Sequence, residues 1–298
     1  MALPFHSYAD AKPFKFLVGA AGKPFFVHAK LAAHQSSTLA TLIEGAMIEA
    51  KREYAVFDDV DEETFIRFMQ FAYTGDYSVA EPDVVLFRQD IGVENGVASR
   101  GSISPKIVEE PDGPAEEPPP PEDSDAPVEE PPQDPEYHAN SDIYPASGER
   151  KSKGQRLWES FQDKANVNSL PTTWEPRSNK DECEDYIPVF LCHAKLYVFA
   201  DKYGIKPLQE LVLQKLRLTL SRFILYPRRV GDVIELMRYT YEHTTEYVGG
   251  SDRLRDLVAD YVVCHIEKIM EYGDFTKLMQ ENGDVTKDIM PKLMERVD

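Results

Sequence analysis

A proline-rich acidic tract near the middle of the chain limits what the sequence can fold into. Residues 101–150 contain 14 acidic residues, two basic residues and 12 of the 22 prolines. Such a composition offers too few apolar side chains to offset the entropy that is lost on ordering, which predicts a disordered segment. The folded part of the 298-residue chain must therefore form on either side of this tract.

The distribution of charge argues against two classes of partner. The formal net charge is -19, of which the tract supplies -12, and no block of basic residues offers a surface for a nucleic acid backbone or an anionic lipid. The longest apolar stretch, residues 205–220, is interrupted by charged side chains, whereas a membrane span needs about 20 nearly uncharged residues. We therefore expect no nucleic acid partner and no membrane partner.

Cysteine content and the N-terminal sequence indicate the compartment. The three cysteines, at positions 183, 192 and 264, form no disulfide framework. The first residues of the sequence lack the apolar region of a signal peptide. Both features predict an intracellular protein, in the cytoplasm or the nucleus.

The block before the tract has the pattern of a mixed α and β unit. Alternating apolar residues, turn residues and capping residues predict, in order, strands at 14–18 and 25–28, two short helices around 31–33 and 39–43, a strand at 54–57 and a helix from Asp61 to Gly75. This order differs from the alternating βαβ pattern of nucleotide-binding sheets. The predicted fold class is therefore α+β.

The sequence after residue 189 predicts helices almost to its end. Helices are expected at residues 190–203, 208–223, 230–241, 254–269 and 285–297. The fourth of these has apolar side chains at helical spacing over four turns. Between the tract and these helices, Trp158 and Phe161 lie on a short amphipathic stretch that has apolar surface to bury.

The sequence contains no motif of the common phosphate, dinucleotide, zinc-protease or hydrolase sites. Cys183, Cys192 and His193 suggest metal or redox chemistry, but they offer no second ligand pair at the spacing of structural zinc sites. A buried Cys192 and a His193 on the helix surface are predicted instead. We expect no catalytic, cofactor-binding or metal-binding residues, with an enzyme that uses Cys192 and His193 as a remote alternative.

Short motifs on both sides of the tract follow one another in a characteristic order. They are Phe14-Lys-Phe-Leu-Val-Gly19, Phe25-Phe-Val-His28, Ser36, Met47-x-Glu49, Phe71-Ala-Tyr-Thr-Gly75 and His193-Ala-Lys-Leu-Tyr-Val-Phe-Ala-Asp-Lys-Tyr-Gly-Ile205. Together they resemble the BTB/POZ domain, and more narrowly that of the intracellular BTB proteins of filamentous fungi. The resemblance implies a small sheet that is packed on a helical cluster.

The resemblance also implies a domain organisation. Residues 14–81 and 189–223 would form two parts of one BTB-like domain, residues 82–188 an acidic, Pro-rich, disordered insertion, and residues 224–298 a helical extension. The entropy of closing a loop grows only logarithmically with its length, so an insertion of about 100 residues is tolerable. The residues expected to share one core across the insertion are Phe16, Phe68, Tyr73, Val198 and Leu211.

Protein interaction is the function that the resemblance implies. Members of the family form homodimers or bind partner helices, and many act as adaptors of cullin-type ubiquitin ligases. Val79 and Glu81 match a hydrophobic-x-Glu element associated with cullin contact. Pro13 and Ala29 replace the charged pair of members that recruit co-repressors, so that charged pocket is not expected. We predict a non-enzymatic scaffold that self-associates or docks a protein partner, with a cullin adaptor as the alternative.

Overall fold

Alternating side chains on three strands build the first sheet. The computed structural model describes residues 3–45, 48–85, 151–166, 174–245 and 250–296. Strands β1 (Pro13–Val18) and β2 (Lys23–His28) form an antiparallel hairpin, and β3 (Tyr54–Phe57) pairs parallel with β1. The order β2-β1-β3 places β1 in the centre. The predicted hairpin and third strand are confirmed.

Four helices of the first block are fixed by residues at their ends. They are α1 (Ala29–Gln35), α2 (Ser37–Glu44), α3 (Ile48–Arg52) and α4 (Glu62–Thr74). The side chains of Ser36 and Asp61 accept backbone N–H groups at the starts of α2 and α4. Gly75 ends α4 in the left-handed conformation that glycine tolerates best, with φ of 79°. The predicted α1, α2 and α4 are confirmed, whereas the five-residue α3 is too short to give a periodic signal.

Both ends of the segment predicted as a disordered insertion, residues 82–188, contain regular structure. The elements are helix α5 (Lys153–Asn166) and strands β4 (Asp83–Val84) and β5 (Glu184–Asp185), which pair antiparallel. The prediction of disorder is therefore wrong at these ends.

The amphipathic stretch around Trp158 explains why α5 forms. Phe161 is buried, and its ring centroid lies 5.8 Å from that of Tyr261. Trp158 stacks on Phe161 at 5.6 Å, so this helix has two large apolar rings to bury, whereas residues 101–150 contain no Trp or Phe. Residues 86–150 and 167–173 lie outside the described residues, and disorder there stays a prediction.

From residue 187 onward, the described residues form seven α-helices. They are α6 (Ile187–Lys202), α7 (Lys206–Arg222), α8 (Val230–His243), α9 (Arg253–Cys264), α10 (Ile266–Met270), α11 (Gly273–Glu281) and α12 (Gly283–Arg296). The helix predicted at 254–269 is divided, because His265 leaves the helical backbone conformation with φ of -119° and ψ of 20°. Val262 and Ile266 are buried on either side of this break, so the apolar stripe continues across it.

A cluster of phenylalanines joins elements from both sides of the tract. The ring centroids of Phe16 on β1 and Phe65 on α4 are 5.2 Å apart. Phe68 on α4 lies 4.9 Å from Phe199 on α6. Phe16, Phe68 and Leu211 are buried as predicted. The sheet, α4 and α6 therefore share one core although about 100 residues separate the two blocks.

Two residues of the predicted core lie elsewhere. Tyr73 is 37% exposed, and its hydroxyl lies 2.7 Å from Nδ1 of His28. Val198 is half-buried, and the neighbouring Phe199 supplies the core ring instead. Side-chain direction turns by about 100° per residue along a helix, so an error of one position moves a side chain off the core face.

The described residues form a mixed α+β fold that is mostly helical, with one three-stranded and one two-stranded sheet. Those up to residue 85 and those from residue 152 onward belong to one compact unit. None of the described helices has the length and apolar character that a membrane crossing requires.

Candidate protein-interaction site

The two residues predicted to contact a partner, Val79 and Glu81, lie on the segment that follows α4. This stretch, residues 76–82, is called the 76–82 segment below, and it has no regular secondary structure. Val79 is half-buried and packs against the hydrophobic core. The Glu81 side chain is 85% exposed and forms an ion pair with Arg177 at 3.5 Å. The two residues are therefore close together, but only Glu81 offers its whole side chain to a partner.

A buried lysine on α7 contacts the 76–82 segment from the protein interior. The side chain of Lys215 is fully buried, and its Nζ pairs with the Asp76 carboxylate at 2.5 Å. The same Nζ donates to the Tyr77 backbone carbonyl at 2.9 Å and lies over the rings of Tyr77 and Trp174. Burial lowers the pKa of Lys215, and the hydrogen bond to Asp76 offsets part of that effect. Lys215 therefore fixes the start of the segment by charge and by hydrogen bonding.

A buried histidine on α6 holds the Tyr77 side chain. The Tyr77 hydroxyl lies 2.6 Å from Nδ1 of His193, and Thr219 Oγ1 lies 3.4 Å from Nε2. Thr219 donates its own proton to the Lys215 carbonyl, so it accepts from Nε2–H, and Nδ1 accepts from Tyr77. Burial, with the nearby cations Lys215 and Arg67, lowers the pKa of His193 to about 3. The ring is therefore neutral at physiological pH.

The prediction that His193 lies on the helix surface is wrong. Its side chain is completely buried, because Tyr77 and Thr219 satisfy both ring nitrogens inside the core. A histidine whose two nitrogens have partners costs much less to bury than an unpaired one. Tyr77 lies more than 100 residues before His193 in the chain, so the sequence periodicity around His193 does not reveal this partner.

Cys192 is buried as predicted, and it bonds the backbone of the same segment. Its sulfur accepts the Ala80 N–H at 3.4 Å and donates to the Val189 carbonyl at 3.1 Å. Burial raises the pKa of the Cys192 thiol, which disfavours the reactive thiolate. His193 bonds Tyr77 and Thr219, so the two adjacent residues do not form a nucleophile and base pair.

Metal-ligating side chains do not cluster within the described parts of the chain. No group of three or more His, Cys, Asp or Glu side chains there is arranged to hold a metal ion. Cys183 lies before β5, where its backbone carbonyl accepts the Val85 N–H at 2.8 Å. The side chains of Cys192 and His193 bond groups of the 76–82 segment, and the backbone of Cys183 joins β5 to the residue after β4.

Helix α4 also holds the 76–82 segment. Arg67 Nε donates to the Ser78 carbonyl at 3.1 Å, and the Ser78 N–H donates to Oε1 of Gln70 at 2.9 Å. With Cys192 on α6 and Lys215 on α7, side chains from three helices bond the backbone of the segment. It is therefore fixed without being part of a helix or sheet.

A second stretch of chain borders the segment and closes a cavity with it. This stretch, residues 174–185, is called the strap below. The cavity has a volume of about 160 Å³ and is lined by Val79, Ala80, Glu81, Pro82, Trp174, Glu175, Pro176, Arg177, Tyr186, Val189 and Thr219. Arg177 of the strap bridges the carboxylates of Glu81 and Glu184. The site thus combines a small recess, lined by both apolar and polar side chains, with an exposed carboxylate.

Sequence reasoning missed the residues that support the site. Leu208, Leu211, Lys215 and Thr219 lie on α7 at helical spacing and all are buried. A lysine on such a stripe is a usable signal, because a fully buried lysine is rare unless it has a partner. The partner Asp76 lies on another element, however, and nothing local to α7 identifies it.

Comparison with known proteins adds no relative to this picture. No family model matches the chain, and no curated protein sequence matches it. The site geometry described above is therefore the basis for a functional proposal.

Proposed function

We propose that this chain is a protein-interaction module that docks a partner protein through the 76–82 segment. One observation supports the proposal above the others. The segment lies outside regular secondary structure and carries an 85% exposed carboxylate at Glu81, yet its backbone is bonded by side chains of three helices. A segment that is already held in one conformation loses little entropy on binding, which favours recognition.

The chemistry of the segment indicates the kind of partner group it binds. Arg177 contacts Glu81 at 3.5 Å, and the two side chains are 44% and 85% exposed, so this ion pair contributes little stability. A lysine or arginine of a partner can therefore replace Arg177 at small cost. Beside it, Pro82 and Trp174 line the recess and would accept an apolar side chain. The proposed partner presents a cation next to an apolar group.

A cullin adaptor is the second candidate, and the placement of Val79 and Glu81 favours it. The BTB/POZ resemblance assigns cullin contact to a hydrophobic-x-Glu element after the Tyr-Thr-Gly helix. That helix, α4, has Ile66 at 40% exposure and Tyr73 at 37% exposure. A cullin would then contact the exposed side of α4, with Glu81 as the polar anchor. The half-buried Val79 would support this surface and offer only part of its side chain.

Site-specific photo-crosslinking tests both candidates. A photo-reactive phenylalanine analogue in place of the exposed Ser78, which leaves Glu81 intact, is expected to capture a protein in cell extract, and one in place of the exposed Glu271 serves as the control. Capture of a cullin, at concentrations where an established adaptor captures it, supports the adaptor. Capture of a second copy of the chain indicates self-association as a homodimer. Equal capture at both positions contradicts docking through the 76–82 segment.

A further inference from the structure

The outer face of the first sheet is a second surface that the described chain leaves open. Directly paired residues on neighbouring strands share a face. Leu17 on β1 is paired with Pro24 and Val56, and Lys15 is paired with Phe26 and Tyr54. These two rows lie opposite the side that carries the buried Phe14, Phe16 and Val18.

This face is unusual because apolar side chains on it are exposed. Phe26 is 56% exposed and Val56 is 55% exposed, and they lie on the two edge strands. A sheet with one solvated face normally presents polar side chains there. Four of the six side chains in the two rows are apolar and a fifth is Tyr54. A contiguous apolar face of this kind marks an interaction surface.

Lys15 determines the charge of the partner. It occupies the central strand, and its Nζ lies 5.3 Å from the centroid of the Tyr54 ring. No ion pair among the described residues includes Lys15. The two rows contain no acidic residue, although the net charge of the chain is -19. An isolated cation within an apolar face is complemented by a carboxylate on the partner.

The dimensions of the face indicate the shape of the partner. Neighbouring strands lie about 4.8 Å apart, so the two edge strands are about 10 Å apart. This width matches the diameter of one α-helix with its side chains, about 10–12 Å. A helix is also the element that most often covers an apolar sheet face in a mixed fold.

We infer that the outer sheet face docks an amphipathic α-helix of a partner protein. Its apolar stripe would cover Phe26, Leu17 and Val56, and an aspartate or glutamate beside that stripe would pair with Lys15. A second copy docked face to face is a poorer fit, because two lysines would meet on faces that carry no carboxylate. This surface is distinct from the 76–82 segment, so the inference does not depend on the proposed function.

Binding of two synthetic helical peptides to the full chain tests this inference. Both peptides carry leucines at positions i, i+4, i+7 and i+11, and they differ in having either glutamate or lysine beside the stripe. Fluorescence anisotropy is expected to show about threefold tighter binding of the glutamate peptide, the scale of a partly exposed ion pair. Lys15→Glu is expected to reverse this preference.

A matched pair of variants distinguishes the face from other apolar surface. Phe26→Ser should weaken binding of both peptides more than tenfold, whereas Met294→Ser, at a 69% exposed methionine on α12, should leave it unchanged. A circular dichroism melt checks that Phe26→Ser folds, and the Lys15→Glu reversal tests the inference independently. Glu81→Gln should have no effect on either peptide, which separates this surface from the 76–82 segment.

Two results would overturn the inference. In the first, both peptides bind equally well and Lys15→Glu does not change this, which would show that the cation plays no part. The other is a concentration-dependent dimer in sedimentation velocity that Phe26→Ser dissociates, because the occupant of the face would then be a second copy of the chain.

Discussion

Two buried cations hold irregular backbone in this fold, and they do so with different chemistry. Lys215 uses one carboxylate, one carbonyl and two aromatic rings. Arg255 on α9 is also buried, but its planar group donates to Thr244 Oγ1 at 2.9 Å, to Asp284 at 3.0 Å and to the Thr244 backbone carbonyl. The arginine thus replaces more of its lost hydration with hydrogen bonds.

The difference between the two cations lies in what they hold. Arg255 links the end of α8 to α9 and to Asp284 on α12, so it connects structural elements to one another. Lys215 holds the 76–82 segment, whose outer side is open to solvent. A buried charge can therefore stabilise the fold alone or present a surface. Substitutions at the two cations and at the residues they hold separate these roles.

Arg255→Met should lower the free energy of unfolding by about 4 kcal/mol, because the buried hydroxyl and carbonyl of Thr244 lose their donor and the half-exposed Asp284 loses its charge partner. Arg255→Lys should lower the free energy of unfolding by about half as much, since lysine keeps the charge but lacks the planar guanidinium group and its several N–H donors. Urea denaturation at pH 7 measures both changes. A loss below about 1 kcal/mol for Arg255→Met would contradict a structural role for this group.

Lys215→Met should cost about 3 kcal/mol, less than the arginine variant, because Lys215 serves one carboxylate and one backbone carbonyl, whereas Arg255 serves more acceptors. Hydrogen exchange should also accelerate at the backbone amides of Ser78 and Ala80, because both residues belong to the 76–82 segment that Lys215 holds. Adding Asp76→Asn should restore at least about 1 kcal/mol, because it removes the unpaired carboxylate. No change in exchange at these amides would show that Lys215 does not position the segment.

Acid should destabilise the site through His193. The pKa of His193 is about 3 in the folded state and about 6.5 in an unfolded chain, so the unfolded state binds the proton first. The stabilising contribution is complete above pH 6.5 and is lost as the pH falls towards 3. Lowering the pH from 7 to 5 should therefore reduce the free energy of unfolding by about 2 kcal/mol through His193.

A second histidine provides the comparison for this prediction. Burial lowers the pKa of His265, in the C-terminal helices, to about 4, so it should add a similar acid sensitivity. His193→Gln and His265→Gln should each remove about half of the histidine-dependent loss in urea denaturation at the two pH values. If His193→Gln is as acid-sensitive as the unmodified chain, His193 is not the buried neutral group described above.

Glu81→Gln should have the smallest effect on stability, about 0.5 kcal/mol or less, because its ion pair with Arg177 is exposed. Binding of the partner identified by crosslinking should weaken about tenfold, equivalent to ~1.4 kcal/mol. Glu271→Gln makes the same change of charge elsewhere and should alter neither quantity. A large loss of stability for Glu81→Gln would instead make it part of the structural support.

Features that are encoded within a few residues were predictable from the sequence. Ser36, Asp61 and Gly75 mark the ends of helices because each acts on backbone groups next to it in the chain. The period of two on β1 and the helical periods after residue 189 likewise arise from neighbouring residues. These signals were sufficient for the α+β class and for most helices.

Features that depend on distant partners were not predictable in the same way. Strands β4 and β5 have two residues each and pair across about 100 residues of chain, so neither has a pattern of its own. His193 is buried because Tyr77 meets it, and Phe199 rather than Val198 enters the core because α4 lies on that side. For the site, Val79 and Glu81 came from family resemblance, whereas the residues that support them required the structure.

The shared phenylalanine core has a consequence for synthesis of the chain. Phe68 leaves the ribosome about 130 residues before Phe199, its partner in the core. At a synthesis rate of 5–20 residues per second, the first block lacks this core partner for on the order of ten seconds. During that interval we expect the nascent chain to expose apolar surface of the kind that chaperones bind. Shortening the acidic tract would reduce this delay in direct proportion to the residues removed.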